Sequence, residues 1–153
     1  MCGIMGMILK QEDREAEELN MLRARFTNLL VATEIRGRDA AGAFVVNKPR
    51  QGVSPIRFTK AQGSASSLVR NPKFHALMNT IGTDTIGAIG HTRMATQGCP
   101  TCNANNHPII MKNQIVGVHN GMLVNDEEIR EEFPFDQEVD SAAIFAALSG
   151  NSG

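Results

Sequence analysis

Apolar and polar residues change period along this 153-residue chain, and each change marks an element. Ile4, Met7, Ile8 and Leu9, with Gly3 and Gly6 among them, predict a buried first strand whose glycines let a substrate backbone come close. From Gln11-Glu12-Asp13 onward the period lengthens. Leu19, Leu22, Phe26, Leu29 and Leu30 recur at three- and four-residue spacing, so one stripe of a helix is expected inside, with Arg14, Glu17, Glu18 and Arg25 in water. The helix is expected to stop near Gly37 in a left-handed C-terminal turn. Residues 42–46 and 56–59 read as a hairpin, and 64–81 as helix broken at Pro72. A glycine-rich buried strand, 86–91, feeds a long loop, 92–107. Strands 108–112 and 115–119 follow, with Asn113-Gln114 as the turn between them. Asn125 is expected to cap a short helix whose Glu127 and Glu128 suit its N-terminal dipole. A last helix covers about 140–148, and 149–153 read as a tail. No internal repeat or linker breaks this order, so residues 1–153 read as a single α+β domain.

Composition narrows the function. Fifteen Lys and Arg are dispersed among 16 Asp and Glu for a net charge of -1, which lacks the basic footprint of a nucleic-acid or anionic-membrane binder. A small neutral or zwitterionic substrate suits it better. No apolar run approaches the ~20 residues of a membrane span, and no basic n-region leads an apolar h-region, so a cytoplasmic location is expected. Three Cys is an odd, low count for a disulfide framework, and a reducing compartment suits a free thiol at position 2. That thiol is the strongest chemical signal. Removal of the initiator Met before a small residue such as Cys would leave a thiol and a free α-amine on one residue. The amine titrates at roughly 7.7–8.0, so near neutral pH it takes the thiol proton, directly or through a water, with no His recruited.

Three further segments carry polar residues at strand ends or turns, where loops present functional groups on a rigid scaffold. They are Arg36-Gly37-Arg38-Asp39-Ala40-Ala41-Gly42, Gly90-His91-Thr92-Arg93-Met94-Ala95-Thr96-Gln97-Gly98 and Val118-His119-Asn120-Gly121. With residues 1–6, 105–108 and 138–140 they stand in the order of a family's motifs. The chain resembles, over nearly its whole length, the glutaminase domain of class II, N-terminal-nucleophile glutamine amidotransferases, most closely of the glucosamine-6-phosphate synthase type. The resemblance implies an αββα sandwich in which Cys2 attacks the side-chain carboxamide of L-glutamine. Ammonia would leave, and water would hydrolyse the γ-glutamyl thioester. It implies an oxyanion hole made by the Asn120 side chain and the Gly121 N–H, and Arg93 as a two-pronged binder of the α-carboxylate. Asp140 would hold the α-amine, Thr96 would lie in the same substrate loop, and Arg36 would order the site near the nucleophile. No cofactor or metal is expected.

The chain also departs from the family. Met94 stands where the synthases usually carry an aromatic residue and Gln97 where they often carry His, so the loop over glutamine is expected to close differently. Cys99-Pro100-Thr101-Cys102 sits in a loop one residue longer than theirs. Two thiolates fall short of the four ligands of a structural zinc site, which leaves a loop variant, a metal pair helped by His107 or His91, and a redox pair as readings. His75, His91, His107 and His119 are read as structural. The family's domain continues beyond the helix after Asp140 with strands that complete its second sheet. We therefore expect a sandwich incomplete at its C-terminal end and weak glutaminase activity in isolation. Its open edge would favour association with itself or with a synthase partner chain that accepts the ammonia. The alternatives are another N-terminal-nucleophile amide hydrolase, and a non-catalytic metal-binding or interaction module using Cys99 and Cys102.

Overall fold

A computed structural model describes residues 1–112 and 115–150; the expected Asn113-Gln114 turn and the last three tail residues lie outside the described residues. Four strands, β1 (Gly3–Ile8), β2 (Ala40–Asn47), β3 (Ile56–Gln62) and β4 (Thr85–Arg93), form an antiparallel sheet in the order β1-β4-β2-β3. Side chains alternate between its faces. Ala41, Ala43, Val45 and Ala88 turn to one face and meet Phe26 and Leu30 of α1 (Ala16–Ala32). Leu68 of α2 (Ala65–Leu68) and Phe74, Leu77 and Met78 of α3 (Pro72–Met78) complete that core.

Gly42, paired with His91 across the β2–β4 ladder, turns the other way. A Cβ on Gly42 would lie 2.0 Å from the His107 carbonyl oxygen, so the second layer approaches the sheet backbone itself at that point. This layer holds two short antiparallel strands, β5 (Ile109–Met111) and β6 (Ile115–Gly117). After α4 (Asp126–Glu132), α5 (Ser141–Gly150) backs them through Ala142 and Phe145, which pack with Ile109 and Val139. The layers run helix, sheet, sheet, helix, a mixed α+β arrangement compatible with an N-terminal-nucleophile sandwich. No helix among the described residues is long and apolar enough to cross a membrane.

Several local expectations are corrected. As an edge strand, β1 leaves Ile4 46% and Ile8 91% exposed. Its Gly3 serves packing: a Cβ there would lie 2.2 Å from Thr33 Cγ2 and 2.6 Å from Thr92 Oγ1. The first helix begins at Ala16 because Arg14 folds back over the lead-in, donating to the Lys10 carbonyl at 2.7 Å and to the Glu12 and Glu18 carboxylates. The Arg14 side chain is therefore 4% exposed rather than wet, and Leu29 faces water. Past α1 the chain tightens into a 3-10 turn, Thr33–Arg36, and Gly37 follows at φ 177, which is extended rather than left-handed. Glycine is required there for another reason, since a Cβ would meet the Arg93 and Met94 backbone at 2.4–2.5 Å. Asn125 precedes α4 without a side-chain cap, whereas Asn71 Oδ1 accepts from Lys73 N–H at 2.9 Å and caps α3.

Candidate active site

Extending the β1–β4 register by one residue sets Cys2 opposite Arg93. Met94 N–H donates to Cys2 Sγ at 3.4 Å, and the thiol reaches the Met94 carbonyl at 3.6 Å. The Met1 α-amino group donates to Met94 Sδ at 2.9 Å, so the N-terminal residues and Met94 form one corner. Asp39 fixes the strand end behind them. Its N–H donates to the Arg93 carbonyl at 3.0 Å and its Oδ2 accepts from Ala95 N–H at 2.7 Å.

Arg93 is buried at the inner face of β4. Its Nη1 donates to Asn106 Oδ1 at 2.7 Å, and its Nη2 to the carbonyls of Gln97 and, at 2.8 Å, Gly98. Desolvation pulls the guanidinium pKa down, while the charges of Cys2, Asp39, Cys99 and Asp140 push it back up. Guanidinium remains protonated under such opposition. Asp140, at the head of α5, accepts from Leu123 N–H at 2.7 Å through Oδ2 and from Ser141 N–H at 2.7 Å through Oδ1. A fixed cation and a fixed anion thus face the same space.

Three histidines lie beside them. His91 and His107 stack at 4.2 Å between ring centroids; His91 Nε2–H donates to the His119 carbonyl at 3.2 Å, and His119 Nδ1 meets Ser141 Oγ at 3.1 Å. His91 Nδ1 and both ring nitrogens of His107 have no partner among the described residues. Burial lowers His91 to about 4. It lowers His107 to about 2, with the neighbouring charges of His91, Arg93 and Lys60 adding to it. Lys60 Nζ donates to the carbonyls of Asn106 at 2.6 Å and Pro108 at 2.9 Å, and burial brings its ammonium down to about 8. Lys60 and Arg93 together hold the segment that carries His107 against the sheet. The His107-Pro108 peptide is cis.

Cys2, Arg93, Thr96, Gly121 and Asp140 converge on one cleft, joined by His107, His119 and Ser141. Its volume of about 20 Å³ is room for about one water, so any larger ligand requires the lining to move. Two expected site residues stay outside it: Asn120 and Arg36 are exposed, and the Arg36 Cβ lies 2.9 Å from where a Cβ on Gly3 would sit. His107 and His119 line the cleft despite being read as structural. The signal that could have found His107 is its place in the 105–108 segment, one of those that carry the resemblance. Gln97 Nε2 reaches Asp126 Oδ2 at 3.3 Å, linking the loop to the head of α4. Cys99 and Cys102 are free and exposed, and no three His, Cys, Asp or Glu among the described residues are grouped to hold a metal. Roomier hollows lie near the β2–β3 turn, about 370 Å³, and between β5 and α5, about 420 Å³, but neither is lined by Cys or His.

A thiol at the head of an edge strand, set against a buried guanidinium and a carboxylate at the seam of two antiparallel layers, marks the class that the chain resembles: the class II, N-terminal-nucleophile glutamine amidotransferases. Its relatives are particular members. The chain is 33% identical over 153 residues to glutamine-fructose-6-phosphate aminotransferase (isomerizing) of Chlorobaculum tepidum, covering 94% of this chain and 21% of that protein. It is 35% identical over 136 residues to the same-named protein of Streptococcus mutans, covering 87% of this chain and 19% of that one. For Pseudomonas syringae pv. tomato the figures are 32% over 153 residues, 97% and 22%. The chain therefore spans about a fifth of the length of these curated relatives. No protein-family model matches it.

Proposed function

We propose that residues 1–153 form a glutaminase domain that hydrolyses the side-chain amide of L-glutamine through Cys2 and releases ammonia to an acceptor outside these residues. The observation that carries this reading is the convergence of the Cys2 thiol, the Arg93 guanidinium and the Asp140 carboxylate on one cleft. Glutamine is a zwitterion with a neutral amide at its far end. Its α-carboxylate pairs with Arg93 and its α-ammonium with Asp140, which leaves the carboxamide to reach Cys2.

Removal of Met1 turns the Cys2 nitrogen from a peptide N–H into an amine, which takes the thiol proton. The thiolate adds to the amide carbon. Gly121 N–H and the Asn120 amide, turned inward from its exposed position, stabilise the oxyanion. On collapse the C–N bond breaks and ammonia departs with the proton held by the amine. Water then attacks the thioester, its proton returns to the amine, the C–S bond breaks and glutamate leaves. Arg36 ends the 3-10 turn that lies beside the N-terminal strand and helps order it there, and Thr96 belongs to the loop that opens for substrate. Burial keeps His91 and His107 uncharged near neutral pH, so that pair adds no charge beside the Arg93 cation and the Asp140 anion.

The test is ammonia release from glutamine beside intact mass. Active protein is expected to begin at Cys2, and Cys2→Ala to abolish turnover while retaining glutamine binding. Turnover by protein that fully retains Met1 would refute the mechanism.

A further inference from the structure

The proposed chemistry leaves residues 99–102 unused, although the turn they form is hydrogen-bonded to Asn106, the partner of Arg93, and to Glu138, two residues before Asp140. Gly98, at φ 73, gives its carbonyl to Arg93, and the residues beyond it form a turn in which Cys102 N–H donates to the Cys99 carbonyl at 3.2 Å. Pro100 occupies the turn position its fixed φ fits. Such a turn holds its first and fourth Cα atoms within about 7 Å, and a disulfide spans about 4.4–6.8 Å. Both thiols are free and exposed. Cys99 Sγ lies 3.0 Å from Thr101 Oγ1, and hydrogen bonding there holds its pKa below the ordinary thiol value, which makes Cys99 the attacking member of the pair.

The turn is tied to the cleft from both sides. Cys99 N–H donates to Glu138 Oε2 at 3.1 Å, two residues before Asp140. Asn106 Nδ2 donates to the Pro100 carbonyl at 2.8 Å while Asn106 Oδ1 accepts from Arg93 at 2.7 Å. Of the guanidinium donors, both on Nη2 are spent on the Gln97 and Gly98 carbonyls and one on Nη1 goes to Asn106. A carboxylate that grips the Nη1/Nη2 edge with both oxygens must displace one of those carbonyls. The loop next to Cys99 therefore has to yield when a carboxylate binds Arg93 in that two-pronged way.

We propose that Cys99 and Cys102 form a reversible disulfide that locks this loop on Arg93 and so weakens binding of the substrate carboxylate. The second half of that statement rests on the reading of Arg93 given above. The oxidant is a low-molecular-weight disulfide. The Cys99 thiolate attacks one of its sulfurs, the S–S bond breaks, and one small thiol leaves with the proton that Cys99 gave up. The Cys102 thiolate then attacks the Cys99 sulfur of the mixed disulfide and expels the second small thiol, which carries the Cys102 proton. Two protein thiols are oxidised and one small disulfide is reduced to two thiols.

The experiment equilibrates the full chain with graded mixtures of glutathione and glutathione disulfide. It then maps alkylated peptides, follows backbone amide exchange and measures ammonia release. Oxidation is expected to remove both alkylatable thiols from the 99–102 peptide without adding glutathione, and to slow exchange across 94–103. The KM for glutamine should rise about fivefold or more. The Cys99→Ser/Cys102→Ser protein should keep the reduced KM at every ratio. Glutathione on Cys2 would lower kcat in both proteins and leave KM alone, which distinguishes the two effects. A disulfide that changes neither exchange nor KM, a lasting mixed disulfide at Cys99, or one zinc held by the pair would overturn the proposal. A reduced protein that releases no ammonia would sink the glutaminase reading instead, and the peptide map and exchange would still decide whether the pair locks the loop.

Discussion

Arg93 and Asn120 have different duties in the proposed site, and kinetics separate them. The α-carboxylate is bound alike in ground and transition states, so Arg93→Ala is expected to act mainly on KM. The oxyanion exists only in the transition state, so Asn120→Ala is expected to lower kcat by about 10²–10³ with little change in KM. Matching kinetic effects from steady-state ammonia release would undo the assignment. Cys2, Arg93, Thr96, Gly121 and Asp140 were legible because each falls in a motif whose order the fold turns into proximity. Arg14 and His107 were less so. A charged residue before a helix reads as wet until its partners at Lys10, Glu12 and Glu18 are known. Likewise, nothing local to His107 announces that a second imidazole 4.2 Å away will share its burial.

At the scale of elements, the period of apolar residues located the hairpin, the broken helix at Pro72 and the last helix within a few residues, because those signals are local. The ends of elements were harder. They depend on groups distant in sequence, as where Gly37 passes the Arg93 and Met94 backbone. Five substitutions test this. Asn71→Ala removes a cap bond and is expected to cost about 1 kcal/mol in urea denaturation. Asn125→Ala removes none and should stay within about 0.5 kcal/mol. Gly37→Ala and Gly42→Ala would force backbone apart where a Cβ meets main-chain atoms at 2.0–2.5 Å, at a cost of about 1–3 kcal/mol or more. By contrast, Gly82→Ala meets nothing within 4 Å and is the control. Equal losses at Gly82 and Gly42 would mean that close approach of the two layers is not what those glycines serve.

Across the whole molecule the two layers meet over a buried imidazole pair, and this sets how the fold responds to acid. His91 and His107 face each other, with Arg93 and Lys60 as the neighbouring cations and His119 beyond them. Their folded pKa values, about 4 and about 2, lie below the ordinary 6.5 of an unfolded histidine. The sign follows from proton counts. Between those values the unfolded chain binds protons that the folded chain refuses, so stability falls as pH drops below 6.5 and keeps falling toward the folded values. Each histidine contributes a slope of up to about 1.4 kcal/mol per pH unit in that window. Glu34 acts lower down: Ser66 hydrogen bonds depress its pKa below 4.5, so its stabilisation is lost only as pH falls through that depressed value. The interval from 6.5 to about 5 therefore lies above the Glu34 range and within that of the imidazole pair. Urea denaturation across it should show stability declining steadily with acid, and His107→Gln should remove a large part of the slope. A flat profile between those pH values would show that the pair takes up protons in the folded chain as readily as in the unfolded one, and that the seam between the layers admits charge.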